Sequence, residues 1–282
     1  MVVVYSGKNW KNEDCHIYLE GYLERALSEI KSVVTAKDFD YVAIVCGLPG
    51  LGKSNFAISC AKYCDPNFTE KNIAFTSQQF IQLTNDCPNH SAVILDESFA
   101  SMNSKITMTK EFVQIVNHLQ IIRQKNLFIF LCLPNFFDLS KGVSIYRSSH
   151  LFVVYSEKFG ERGRFAAFDR EKKKMLYILG QKYMNYLCVK PNFRGKFSKQ
   201  QAIDEENYKA LKLEHLKEQN KSLTKQSRGN YSRDRLMAYL HLIQEIPVDD
   251  LVEGSKITER GIYKAIDTCK DEVLSCYGKN LD

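Results

Sequence analysis

Gly47-Leu48-Pro49-Gly50-Leu51-Gly52-Lys53-Ser54 matches the pattern G-x-x-x-x-G-K-[ST] and decides how this chain reads. It lies directly after an apolar, strand-like run at 41–46 and ahead of a helical stretch. Glycines at these places let the backbone curl so that successive N–H groups face phosphate oxygens, and the helix start beyond them adds positive potential. In such a loop Lys53 reaches the β- and γ-phosphates and Ser54 ligates Mg2+. Gly47, Leu48, Pro49, Gly50, Leu51, Gly52, Lys53 and Ser54 are therefore the candidate nucleotide-binding residues, with ATP and Mg2+ the expected cofactors.

Working outward, further strand-length apolar runs at 72–75, 92–95, 127–133 and 150–155 alternate with helical patterns. That alternation predicts an α/β fold with a mostly parallel sheet wrapped by helices. A helix is expected over 18–34, and another over 110–124, where Phe112, Ile115, Val116, Leu119 and Ile122 share one face. The run at 92–95 ends in Asp96-Glu97. Asp96 is placed to hold the Mg2+ shell, and Glu97 to polarise a water for attack on the γ-phosphate. The run 127–133 is expected beside the Asp96 strand, which puts Asn135 where it could sense the γ-phosphate; capping of the next turn is the plainer role for the same residue. Arg147, ahead of the fifth run, and Arg123, at a helix end, are candidate arginine fingers, unless they are only solvated.

Beyond residue 155 the runs 164–169 and 175–180, separated by the polar stretch 170–174, read as a β-hairpin extension. Residues 157–199 carry 12 basic and 4 acidic side chains, a net of +8 that exceeds the +6 of the whole chain. Arg162, Arg164, Arg170, Lys172, Lys173, Lys174, Arg194 and Lys196 are interleaved with Phe159, Phe165, Phe168, Tyr177, Phe193 and Phe197. Such a mixture suits a nucleic-acid backbone; a solvated hairpin with a lysine turn is the bland alternative. A polar helix over 204–219 and a linker over 220–230 follow. The expected organisation is an ATPase domain at 1–200, helix and linker at 201–230 and a small module at 231–282. Val248, Leu251 and Val252, then a turn with Gly254, then Ile257, Ile262 and Ile266 fit a helix-turn-helix or a plain three-helix packing. Arg260 and Lys264 on its last helix are candidate nucleic-acid contacts, although the module carries 7 basic against 10 acidic residues, which leaves protein docking as an equal reading.

With 282 residues and 44% apolar content the chain can bury one sizeable core plus an appendage. The apolar run 127–133 is stopped by Pro134-Asn135, far short of the roughly 18 residues of a spanning helix. The first residues lack a signal-peptide pattern, so a cytoplasmic protein without a membrane partner is expected. Nine scattered cysteines without a C-x-x-C pair read as reduced thiols rather than a zinc site.

The motif at 47–54, Asp96-Glu97, the helix end with Arg123 and Pro134-Asn135 together resemble P-loop ATPases that have an added strand and a catalytic glutamate. Within that group the chain is most similar to Zot-like and FtsK/HerA-type DNA-pumping ATPases of phages and plasmids, over about residues 38–200, including the segment 193–197. The resemblance implies a RecA-like fold, a homo-oligomer and a DNA translocation or packaging motor, with a portal or replication protein as a further partner. It departs from the Zot proteins of filamentous phages, which carry a membrane helix. An initiator or helicase loader of the AAA+ kind and a nucleotide-gated DNA-binding adaptor remain the alternatives. A hairpin at 157–180, where a loader would have a helical lid, favours the motor.

Overall fold

In a computed structural model, residues 2–96, 111–158, 160–199 and 202–277 are described. The chain forms two compact units, Met1–Ala210 and Leu211–Asp282.

The first unit is mixed α/β. Its centre is β3 (Tyr41–Cys46), β5 (Ala92–Asp96), β6 (Phe128–Leu133) and β7 (His150–Tyr155), with the short β4 (Ile73–Ala74) at one edge. β3, β5 and β6 are buried at every position, which is why they read as unbroken apolar runs rather than alternating ones. Two further strands, β8 (Arg164–Phe168) and β9 (Phe193–Lys196), complete a seven-stranded sheet of order β4-β5-β6-β3-β7-β8-β9. Its first five strands run parallel, and β8 and β9 antiparallel. The sequence expectation that 127–133 lies beside the Asp96 strand holds: β6 is inserted between β5 and β3.

Helices α1 (Gly21–Ala36), α2 (Lys53–Cys64), α3 (Ser77–Asp86) and α4 (Glu111–Ile121) cover the sheet. α2 is buried continuously from Phe56 to Cys64, because it packs on β5 and β6 as well as on α1 and a separate N-terminal hairpin. That hairpin, β1 (Val2–Lys8) with β2 (Asp14–Leu19), stands where a helix over 18–34 was expected to begin. α1 starts only at Gly21, where the Glu20 carboxylate accepts from the amides of Tyr22 and Leu23. Lys62, 2% exposed, ties α2 to the hairpin: its ammonium donates to the carbonyls of Lys8, Pro66 and Phe68 at 2.8, 2.7 and 3.1 Å.

The expected hairpin extension is corrected. The segment 164–169 is indeed a strand, but its antiparallel partner is β7, and the chain then enters α5 (Arg170–Gly180). Asp169 caps α5 by accepting from the Lys172 amide. Its buried stripe, Lys173, Leu176, Tyr177 and Gly180, has helical spacing, and a lysine at the first position of that stripe disguises it as a polar turn. Leu176 and Tyr177 belong to the main core, so α5 is part of the sheet's cover and not a free lid.

The expected linker at 220–230 is also corrected, since α6 (Glu205–Leu242) is helical throughout. The stretch has no proline, and its Lys221, Leu223, Lys225, Gln226 and Arg228 are good helix formers that offset its Asn, Ser and Gly. The second unit packs the end of α6 with α7 (Val248–Ser255) and α8 (Glu259–Tyr277) around Met237, Val248, Leu251, Ile262, Ala265 and Ile266. Gly254 lies inside α7; the left-handed residue of the turn is Lys256, at φ 58°.

Candidate nucleotide site

Five parallel strands end on one edge of the sheet, and the loop 47–52 leaves β3 there to enter α2. Gly47 has to be glycine: at φ 147°, a Cβ would stand 2.2 Å from the carbonyl oxygen of Val154 on neighbouring β7. Gly52 is the N-cap of α2 in the left-handed region at φ 95°. No side chain caps α2, and no acidic residue occupies its first turn, so the amides at its start face no competing anion from the helix itself. Leu48, Pro49 and Gly50 form the exposed tip. Lys53 folds back along the loop, its ammonium donating to the carbonyls of Gly47 at 2.8 Å and Leu48 at 3.1 Å.

Asp96 reaches the same place from β5. It pairs in register with Cys132 of β6, which in turn pairs with Val45 of β3, so one strand separates the aspartate from the loop's strand, a lateral step of about 10 Å. Ser54, on the first turn of α2, spans that step and donates its hydroxyl to Asp96 Oδ1 at 2.9 Å. Neighbouring oxygens around an octahedral Mg2+ with bonds of 2.0–2.1 Å lie about 2.9 Å apart, and hydroxyl and carboxylate oxygens are the donors that ion takes. Ser54 and Asp96 thus fit Mg2+, and the glycine loop with Lys53 fits a polyphosphate. Glu97 lies outside the described residues, as does Phe159. Among the described residues no group of three or more His, Cys, Asp and Glu side chains could hold a metal.

Two tyrosines that sequence reasoning missed complete the surroundings. Tyr208, in the first turns of α6, donates its hydroxyl to Asp96 Oδ2, and burial followed by the Asp96 charge raises its pKa far above the ordinary phenol value. Tyr186 donates to Asn135 Oδ1 at 2.8 Å and accepts from the Phe136 amide at 2.9 Å. Asn135 is therefore at the loop's end of the sheet, but its carbonyl oxygen also accepts from the Phe137 amide at 3.3 Å, the turn-capping role. Neither tyrosine has a sequence motif, and both lie more than 50 residues from the strands they meet; the polar helix expected over 204–219 includes Tyr208 but gives no sign of its contact with Asp96.

The two candidate fingers are placed elsewhere. Arg147 and Arg123 precede β7 and β6, at the amino ends of the parallel strands, while the loop follows the carboxyl end of β3. A six-residue strand puts about 17 Å between those ends. Arg147 Nη1 donates to Asp40 Oδ1 at 3.2 Å, Nη2 to Asp40 Oδ2, and Nε to the Leu119 carbonyl at 3.0 Å, which consumes the guanidinium in a structural clamp. Arg123 lies over the ring of Phe39 at 5.6 Å.

The basic segment is partly reassigned. Lys173 is completely buried, donating to the carbonyl and, at 2.6 Å, the hydroxyl oxygen of Ser148, and is withdrawn as a nucleic-acid contact. Phe165, Phe168, Tyr177 and Phe197 are core residues rather than a stacking surface. Arg162, Arg170, Lys174, Arg194 and Lys196 are exposed, Lys172 is half-buried, and Arg164 pairs with Glu157 at 2.9 Å. Arg260 and Lys264 are exposed one turn apart on α8, with Asp267 and Lys270 on the same face.

Burial of Lys173, reinforced by the nearby charge of Arg170, lowers its pKa from 10.5 to about 7. His150 beside it is lowered to about 4 by burial and by the Lys173 charge, with Asp169 opposing. Between pH 7 and 10.5 the unfolded chain holds the Lys173 proton and the folded chain does not, so stability rises with pH across that window. From pH 7 to 9 this one group contributes about 2 kcal/mol of added stability. Urea unfolding at the two pH values measures it, and Lys173→Met should remove that increment.

No family model and no curated protein matches the chain. No helix among the described residues is long and apolar enough to cross a membrane. Among solved structures, the N-terminal domain of zonular occludens toxin from Neisseria meningitidis is weakly similar, with a TM-score of 0.32 and 17% sequence identity over 46% of this chain and 84% of that one.

Proposed function

We propose that the chain is a P-loop ATPase that couples ATP hydrolysis to nucleic acid, acting as an oligomeric DNA-translocating or packaging motor of phage or plasmid type. The observation that carries the ATPase reading is the 2.9 Å contact between Ser54 Oγ and Asp96 Oδ1 at the mouth of a glycine loop whose first residue admits no side chain. In this reading the loop amides cradle the phosphates, and Lys53 turns from its own loop carbonyls to the β/γ oxygens. Ser54 and Asp96 hold Mg2+, which when bound neutralises charge on the transferring phosphoryl group. Glu97, next to Asp96 in sequence, polarises the attacking water. Nothing assigns a finger: the clamp on Arg147 speaks against its acting on a neighbouring subunit.

The nucleic-acid half rests on charge. Arg194 and Lys196 alternate outward on the edge strand β9, and Arg162, Arg170 and Lys174 are exposed in the same strongly basic segment. The helix α5 stands where a hairpin was expected to speak against a loader; it packs on the main core through Leu176 and Tyr177.

The test is steady-state ATP hydrolysis with and without long double-stranded DNA at two salt concentrations. The expected result is turnover that DNA stimulates strongly and salt suppresses, with Glu97→Gln binding ATP but failing to hydrolyse it. Turnover indifferent to DNA would move the function to a loader or adaptor. Full turnover in the Glu97 variant would remove that residue as the base.

A further inference from the structure

Asp96 is 4% exposed, and its two carboxylate oxygens are engaged from two different elements. Oδ1 receives Ser54 from α2, and Oδ2 receives the Tyr208 hydroxyl from α6. The Ser54 side chain is also a near neighbour of the Tyr208 hydroxyl. A group within hydrogen-bond reach of both Ser54 and Asp96 stands over the pair of oxygens that suits Mg2+. We propose that Tyr208 belongs to the nucleotide site as a competing ligand of Asp96 and Ser54, which the magnesium–nucleotide complex displaces, releasing the first turns of α6 from the ATPase unit. This inference rests on the ATP-binding reading above and adds to it a residue and a consequence of binding.

The contact is built, not incidental. The Tyr208 ring packs against Phe75, whose strand edge adjoins β5, with centroids 5.8 Å apart. Asn207, the preceding residue, donates to Glu70 Oε1 at 3.1 Å. Asp204 opens the helix, its carboxylate accepting from the amides of Glu206 and Asn207 at 3.0 and 3.2 Å. Ala202 and Ile203 are buried just ahead of it. These ties hold the start of α6 in place, and among them the phenol is the one that reaches the motif residues. A cation bound between Ser54 Oγ and Asp96 Oδ1 would draw on the same carboxylate that the phenol holds through Oδ2, so the two compete for Asp96.

The molecule carries its own reporter. Trp10 is the only tryptophan in the chain, and together with Lys11 and Lys199 it lines a cavity against Ile203 and Asp204, just ahead of α6, and Glu205 and Glu206, which open it. Release of that turn changes the surroundings of the indole and hence its emission.

The experiment uses the full chain and Tyr208→Phe, which keeps the ring against Phe75 and removes only the hydroxyl. Binding of a fluorescent ATP analogue is titrated with Mg2+ and with EDTA, and Trp10 emission is followed with unlabelled ATP under the same conditions. For the native chain, Trp10 emission is expected to shift with ATP and Mg2+ but not with ATP in EDTA. Tyr208→Phe is expected to bind the analogue about 10- to 100-fold more tightly in Mg2+, the equivalent of one hydrogen bond to a charged group, with affinity in EDTA unchanged. Equal or weaker Mg2+-dependent affinity in Tyr208→Phe, or a Trp10 signal that ignores MgATP, overturns the inference while Lys53-dependent ATP binding leaves the ATPase reading intact. Absence of ATP binding to the native chain overturns both.

Discussion

Lys53→Ala is expected to reduce ATP turnover to background, a loss of at least about 10²- to 10³-fold, the usual effect of deleting one preorganised donor to developing charge. The ammonium is the only charged group that the loop itself supplies, and its present partners, the carbonyls of Gly47 and Leu48, show that it reaches back over the loop from the first turn of α2. Its removal gives up a charged contact to phosphate that a neutral residue cannot replace. The fold should be nearly unaffected: Lys53 is half-exposed, and losing two hydrogen bonds to carbonyls that water can serve costs no more than about 1–2 kcal/mol. Analogue binding, turnover and thermal unfolding of the same preparation separate the two effects. A Lys53→Ala protein that still turns over ATP at the native rate would show that the loop is a structural turn between β3 and α2.

Arg147→Ala is expected to do the reverse, costing about 3–5 kcal/mol of stability, because it strands the Asp40 carboxylate in the interior. The Arg147 side chain is 16% exposed and that of Asp40 6%. The guanidinium joins three parts of the first unit: the turn before β7, the residue before β3 and the carbonyl of Leu119 in α4. For a unit of this size the melting temperature should fall on the order of 10 °C. Replacing both partners with Leu should cost less than Arg147→Ala alone, since much of the penalty is the unpaired charge and not the lost attraction. The measurement is thermal unfolding of the single and double variants together with ATP turnover at a temperature where all are folded. Unchanged stability with lost turnover would return Arg147 to the catalytic role that its sequence position suggested.

These two residues mark how far sequence reasoning reached. Lys53 is placed by local chemistry: a strand, a glycine turn and a helix start within 14 residues carry their own geometry, and three-dimensional packing only adds the Val154 carbonyl that makes Gly47 obligatory. The same holds for β3, β6 and β7, whose unbroken apolar runs leave little choice but burial in the middle of a parallel sheet. Arg147 is different. One arginine before a strand has the same sequence appearance whether it reaches a phosphate or a buried aspartate 107 residues away.

Misread elements follow the same division. The α5 stripe is hidden by Lys173, which counts as charged in the sequence but in the interior has its pKa lowered and its amine on two Ser148 oxygens. The polar middle of α6 has no apolar stripe from which a helix could be read, and the aromatics among the basic residues at 157–199 have the composition of a stacking surface until strand pairing turns Phe165, Phe168 and Phe197 inward. By itself the sequence determined the α/β alternation, the glycine loop with Lys53 and Ser54, and the acid at the end of β5, because each depends on residues adjacent in the chain. Only the tertiary structure decided that Arg147 is a clamp, that Lys173 is core and that Tyr208 sits on Asp96, because each is a contact between distant segments whose energy depends on burial and on the partner it finds there.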